Sequence, residues 1–329
     1  MRAVRVVAPD QLTVEDVPLP ILGQSSVLVR TTLASICGSD LHTVSGDSRG
    51  DTFPCPPGYP GHEAVGEVLE SSSASFSPGD SVLVVPEPDG SAAFAEFQVV
   101  GEDFVIGLPG GSDLQAMLMA QQLGTVIFAL KRMWPGPPGG VAAVLGAGSG
   151  GLHFTQLLKR RGFGSVIVAD LSERRLRAAK ELGADHTVLA SEASILDAVM
   201  DLTGGEGADL VIEAAGHDET RAQAMRTVRV GGRIGLFGLP ERAGDALYPY
   251  DVLFRRQPTI EIASGAQTEV GLSSFREALH DIETGRVVAA DLVTHTYDIE
   301  SIAEAVETAR DRRDGALKVC LSFGDGLAG

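Results

Sequence analysis

The chain has 329 residues, 44% of them hydrophobic, and a formal net charge of −18 from 26 basic and 44 acidic side chains. That length exceeds one small core and suits two domains. So acidic a surface repels phosphate backbones and anionic lipid, which argues against nucleic-acid and membrane partners.

The opening stretch MRAVRVVAPDQLTVEDVPLP carries charges within its apolar run and has no signal-peptide core. No apolar run reaches the ~18–20 residues that span a bilayer. Three cysteines, Cys37, Cys55 and Cys320, cannot build a disulfide framework. The expectation is a reduced, cytoplasmic, soluble protein.

In chain order, residues 1 to about 113 read as short apolar runs broken by Gly and Pro, such as SVLVRTTLASIC, AVGEVLE and SVLVVPE. That is all-β texture. LQAMLMAQQLGTVIFALKRM then reads as a helix. From Val141 strands and helices alternate: VAAVLGAG, a helix to Arg161, SVIVAD, a helix to Leu182, HTVL, a helix, ADLVIEAAG, a helix, RIGLFG, and a last strand in PTIEIASG. Buried strands alternating with helices predict a parallel sheet wound on both faces, an α/β class domain. The tail from about Gly265 is predicted to form two helices and the strand ALKVCLSF, packed back on the β-rich part. The predicted domains are therefore 1–121 with 265–329, and 122–264.

Gly146, Gly148 and Gly151, with Ser149 and Gly150 between them, make G-x-G-x-x-G after a buried strand and at a helix start. The first glycine permits a tight turn, the second lets backbone approach a pyrophosphate, and the third lets helix and strand pack closely. The helix N-terminus then favours the anion. Asp170 ends the next strand about 20 residues on, where a carboxylate accepts ribose hydroxyls and repels a 2′-phosphate, favouring NAD over NADP. Arg174 and Arg175 nearby soften that preference.

PGYPGHEAVGEV, from Pro57, sets His62 beside Glu63 among glycines, and Cys37 opens CGSDLH. Thiolate, imidazole and carboxylate together suit zinc. Taken singly, a Cys fills space, a His is hydrogen-bonded structure and a Glu is solvated; the residues alone leave metal and no metal at even odds.

CGSDLH, PGHEAVGEV, PGDSVLV, SAAFAEF, VLGAGSGGL and KELGADHTV occur in this order along essentially the whole chain. In this the sequence resembles the zinc-dependent medium-chain dehydrogenase/reductase family, on its sorbitol and polyol dehydrogenase side. The resemblance implies a GroES-like catalytic domain and a Rossmann NAD-binding domain. It implies Cys37 and His62 as zinc ligands, and Glu63 as a ligand or a close supporting carboxylate. Ser39 would pass a proton between substrate oxygen and cofactor ribose, His42 would carry it to solvent, and Asp40 would orient neighbours. Ala215, Gly238 and Leu239, in EAAG and LFGLP, would end strands beside the nicotinamide.

Two departures qualify it. The family's lobe with four clustered cysteines is missing, so one catalytic zinc and no structural zinc are expected. Gln121 stands where the family commonly has Cys or Glu; it would hydrogen-bond a zinc-bound water or ligate weakly through its carbonyl oxygen. The implied activity is hydride transfer between NAD and a secondary alcohol or polyol, or the reverse from a ketone or aldehyde. A zinc-free NAD(P)H-dependent quinone or enone reductase of the same fold, and a non-catalytic nucleotide-binding protein, remain as rivals. A homodimer or homotetramer is expected, through pairing of the PTIEIASG strand with its copy.

Overall fold

The computed structural model describes residues 1–47, 52–88, 90–137 and 139–324. A hairpin of β1 (Arg2–Ala8) and β2 (Gln11–Asp16) opens the chain. β3 (Ser26–Ile36) runs into α1 (Gly38–Ser45), and β4 (Ala64–Ser71), β5 (Ser81–Val84), β6 (Phe97–Gly101) and β7 (Val105–Gly107) follow. After α2 (Leu114–Met133) come β8 (Val141–Leu145), α3 (Ser149–Arg160), β9 (Ser165–Asp170), α4 (Glu173–Glu181) and β10 (His186–Leu189). α5 (Ile195–Thr203), β11 (Ala208–Glu213), α6 (Asp218–Thr227), β12 (Val228–Leu236), α7 (Tyr250–Arg256) and β13 (Thr259–Ile262) complete the alternation. The tail holds α8 (Ser273–Glu283), β14 (Val293–Asp298), α9 (Ile302–Asp311) and β15 (Lys318–Ser322).

The chain divides into two compact units, 1–124 with 267–329, and 125–266. The predicted boundaries lie two or three residues earlier at each crossing. The first unit is the GroES-like, β-rich one. Its sheet runs β14-β15-β3-β4-β5-β7, and β6 also pairs with β3. The long β3 shares one side between two partners, β6 at Ser26–Arg30 and β15 at Leu33–Ile36. Val27, Val29, Ala34, Phe94 and Leu321 are buried beneath it. Tail strand β15 thus lies beside the strand that leads into Cys37.

The second unit has six parallel strands in the order β10-β9-β8-β11-β12-β13. Ala143, Val144, Ile167, Val168, Val211 and Ile212 are almost wholly buried, as strands covered on both faces require. The order turns about β8: the chain steps from β8 to β9 on one side and later to β11 on the other. Ligands of such sheets bind beyond the carboxyl ends of the strands at that reversal.

Three elements went unpredicted. α1 and α7 are one or two turns long, too short for a helical period to show in sequence. β14, VTHTYD, alternates no apolar face and is held by its parallel partner β15.

Candidate metal centre and dinucleotide cradle

Strand register explains why residues far apart in sequence meet. Ala34 pairs with Ala64 across β3 and β4, and Ser35 N donates to Glu63 O at 3.0 Å. Continuing two or three residues, the end of β3 brings Cys37 beside His62. On β3's other side Val319 pairs with Ile36, so Lys318 falls opposite Cys37. Three strand ends therefore converge on one point. The glycine before the pair serves this packing, since a Cβ on Gly61 would stand 2.4 Å from the Phe94 ring.

Cys37, His62 and Glu63 each offer a ligand atom, all within 4.8 Å of one another. Asp40, in the first turn of α1 and 1% exposed, fixes two of the three. Its Oδ2 accepts from Cys37 N at 2.8 Å, and its Oδ1 accepts from His62 Nδ1 at 2.8 Å. An imidazole whose Nδ1–H is given to a carboxylate keeps Nε2 for a metal, the usual support of a metal-ligating histidine. Burial opposes charge on His62, yet Asp40 and then Cys37 hold its pKa well above the ordinary value. The thiol, imidazole and carboxylate donors, their spacing and this carboxylate–histidine support fit a zinc ion.

Glu63 is more committed than the sequence suggested. Lys318 Nζ lies 2.5 Å from Glu63 Oε2, and Ser35 Oγ donates to the same oxygen. That leaves Oε1 for any other partner. Both side chains are 2% exposed. Burial pushes the Glu63 pKa up, but Lys318 and then His62 bring it below the usual range. Burial likewise lowers the Lys318 pKa, and Glu63 and Cys37 reverse that and raise it.

Ser39 and His42 stand three residues apart on α1, both half-buried, so they share one helix face. Gln121 is buried on α2 in the same unit. Cys55 and Cys320 are enclosed in the core; burial pushes the Cys320 thiol up to about 12, which makes it inert.

In the second unit the glycine turn has the geometry its residues foretell. Gly146 has φ 101°, and a Cβ on Gly151 would lie 1.9 Å from Gly146 O. Gly148 caps α3, Ser149 is buried in its first turn, and the Phe237 ring lies beside Gly150. Asp170, 8% exposed, accepts from Ala147 N at 2.7 Å through Oδ2 and from Ser172 N at 2.9 Å through Oδ1. It thereby ties the glycine turn to β9, and each oxygen keeps a second acceptor position. Arg175 is buried, its Nη1 3.9 Å from a Cβ placed on Gly148.

Ala215, Gly238 and Leu239 also meet. A Cβ on Gly216 would lie 2.1 Å from Leu239 O, and one on Gly146 would lie 3.0 Å from Ala215 N. Glu213 is the first residue of EAAG. It is fully buried, and its Oε1 accepts from Ala215 N, Gly216 N and Thr220 Oγ1 at 2.7–2.9 Å. A glutamate closing an apolar strand, ADLVIE, was the available signal.

A glycine cradle at the reversal point of a doubly wound sheet, in a chain that also gathers thiol, imidazole and carboxylate, defines a dinucleotide-dependent oxidoreductase with a metal centre. Residues 23–123 match the alcohol dehydrogenase GroES-like domain, and residues 151–283 match the zinc-binding dehydrogenase domain. The chain is 28% identical to the sorbitol dehydrogenase of Bacillus subtilis, over 94% of each chain. It is 28% identical to the L-threonine 3-dehydrogenase of Bacillus velezensis, over 93% of this chain and 94% of the relative. The solved alcohol dehydrogenase of Thermus sp. ATN1 superposes with a TM-score of 0.85 at 27% identity, covering 98% of this chain and 99% of that one. The chain belongs to the zinc-dependent medium-chain dehydrogenase/reductase family, an oxidoreductase of the alcohol dehydrogenase type whose family cofactors are zinc and a nicotinamide dinucleotide.

Proposed function

We propose that the chain is an NAD-dependent dehydrogenase of secondary alcohols or polyols with one catalytic zinc, also able to reduce the matching ketone or aldehyde. The observation that carries this is the Cys37–His62–Glu63 group with Asp40 holding His62 Nδ1. Cys37 and His62 are the two firm ligands; Glu63 through Oε1, or Gln121, completes the set. When bound, zinc supplies Lewis-acid stabilisation of the developing charge on the alcohol oxygen, and NAD⁺ takes the hydride. Ser39 takes the hydroxyl proton and His42, one turn on, releases it to solvent. Alcohol and NAD⁺ thus give carbonyl, NADH and one proton. Glu63 does not move protons: Lys318 and Ser35 hold it ionised, as a fixed charge. NADH formation from a panel of secondary alcohols and polyols, abolished by chelation and restored by Zn²⁺, is the expected result; full activity after chelation sinks the zinc reading.

Asp170 and the Gly146–Gly151 turn support NAD as the preferred dinucleotide, with Arg175 beside Gly148 as the counter-charge. Asp170→Ala is expected to lower the NAD/NADP ratio of kcat/KM by about tenfold or more, the worth of hydrogen bonds to a charged acceptor. An unchanged ratio contradicts the ribose role.

Among the described residues no helix is long and apolar enough to cross a membrane. β13 is one of the two edge strands of its sheet, with Ile260 and Ile262 exposed upon it. An apolar, unpaired edge invites strand addition. We read it as the seam of a homodimer, or of the pairs within a tetramer. A single-chain mass by light scattering overturns that.

A further inference from the structure

At the carboxyl end of the parallel sheet, two crossings run side by side: the one from β11 into α6, and the segment after β12. Glu213 O accepts from Phe237 N and Gly238 N at 2.9 and 3.0 Å, which joins them at the strand ends. Farther out a second set of contacts joins them again, and nothing in the chemistry above uses it. Glu241 N donates to Gly216 O at 2.9 Å. Glu241 Oε1 accepts from Asp218 N at 2.8 Å, and its Oε2 accepts from His217 Nδ1 at 2.5 Å. Asp218 in turn is gripped by Arg221, and by Arg242 Nη2 at 2.5 Å. Arg221 is buried and also donates to Gly216 O at 2.9 Å. Arg242 Nη2 reaches Asp245 O at 2.8 Å. His217 first, then Asp218 N, holds the Glu241 carboxyl below its usual pKa, so that side chain is a carboxylate at neutral pH.

The pairs made by His217 and Arg242 reach solvent, and ion pairs of that kind add little to global stability. Several of them converging on one segment set where that segment sits. The segment is Gly238–Arg242, and its position relative to the cradle is what matters. Asp170 ends β9 and marks the adenosine side of the reversal at β8. A dinucleotide lying across that reversal therefore puts its other half over the ends of β11 and β12. Those are the ends that the clamp fastens.

We propose that Glu241, paired with His217 and the amino end of α6, is a positioning residue that fixes the Gly238–Arg242 segment against the nicotinamide half of the bound dinucleotide. This rests on the dinucleotide-binding reading above. Glu241 touches no reacting atom; it acts through the backbone of Gly238 and Leu239.

The test compares two ligands by calorimetric titration of the purified full chain: NADH, and ADP-ribose, which lacks the nicotinamide. Glu241→Ala should raise the Kd for NADH by about tenfold, the worth of one or two lost hydrogen bonds to a charged group, and leave that for ADP-ribose unchanged. Glu241→Gln, whose amide oxygen can still accept from Asp218 N, should recover part of the loss. Equal weakening of both ligands marks a general structural role and overturns the proposal, as does no change in either. Wild-type protein that binds neither ligand removes the dinucleotide reading and the proposal with it, a result separate from the other two.

Discussion

His62→Ala is expected to yield a folded protein that binds NADH as the wild type does, retains no stoichiometric zinc, and turns over alcohol more than about a hundredfold more slowly. The floor on that loss comes from supporting groups: removing a carboxylate that merely holds a ligating histidine costs about 10–100-fold in metal affinity or activity. Removing the ligand itself must cost more. His62 also anchors Asp40, whose Oδ1 would then lose its partner in a site only 1% exposed. NADH affinity should persist, because the glycine turn, Asp170 and Arg175 all belong to residues 125–266. Asp40→Ala should show the smaller, 10–100-fold effect on the same assays. Zinc content per chain by atomic spectroscopy, with steady-state rates, reads both variants. Wild-type turnover in His62→Ala would contradict the assignment of the metal centre.

Lys318→Met should be among the most destabilising single changes in the chain. Breaking a buried ion pair by removing one partner typically costs about 3–5 kcal/mol, because the other charge is left uncompensated. Here both partners are 2% exposed, and Glu63 would keep only Ser35 and His62 nearby. Replacing both, as Lys318→Met with Glu63→Gln, should recover most of the loss, since the penalty lies in the orphaned charge. Urea unfolding of chelator-treated protein measures the cycle. Additive losses in the double variant would show that the two side chains are not coupled. The acid limb carries the same signature. The Glu63 pKa lies below its ordinary value of 4.5 in the folded protein. Its contribution is therefore complete above that value and is lost as pH falls through the depressed one.

Local signals made half of the site legible. The glycine turn, its flanking strand and Asp170 occupy one continuous βαβ unit, so spacing alone could nominate them. Cys37 and His62 could be nominated as types of ligand, but their meeting depends on the antiparallel register of β3 and β4. That register is not written in either motif. Lys318 was missed because β15 reaches β3 from the far end of the chain. Its signal was a lysine inside the apolar run ALKVCLSF, since a lysine buried on both sides demands an anion. His217 carried no motif, and its partner Glu241 lies in a polar segment that reads as plain loop; only the close passage of two crossings gives them a joint role. β14 escaped because its polar residues have no period of their own. The α/β and β-rich textures, by contrast, were visible because buried strands and glycine-broken strands differ in composition along their whole length.

Anomalous diffraction at the zinc edge, from crystals grown with Zn²⁺ and NADH, tests the metal centre most directly. One strong peak is expected at about 2.0–2.3 Å from both Cys37 Sγ and His62 Nε2. No peak there, or a zinc ion bound elsewhere while these two side chains point apart, would contradict zinc catalysis by this chain.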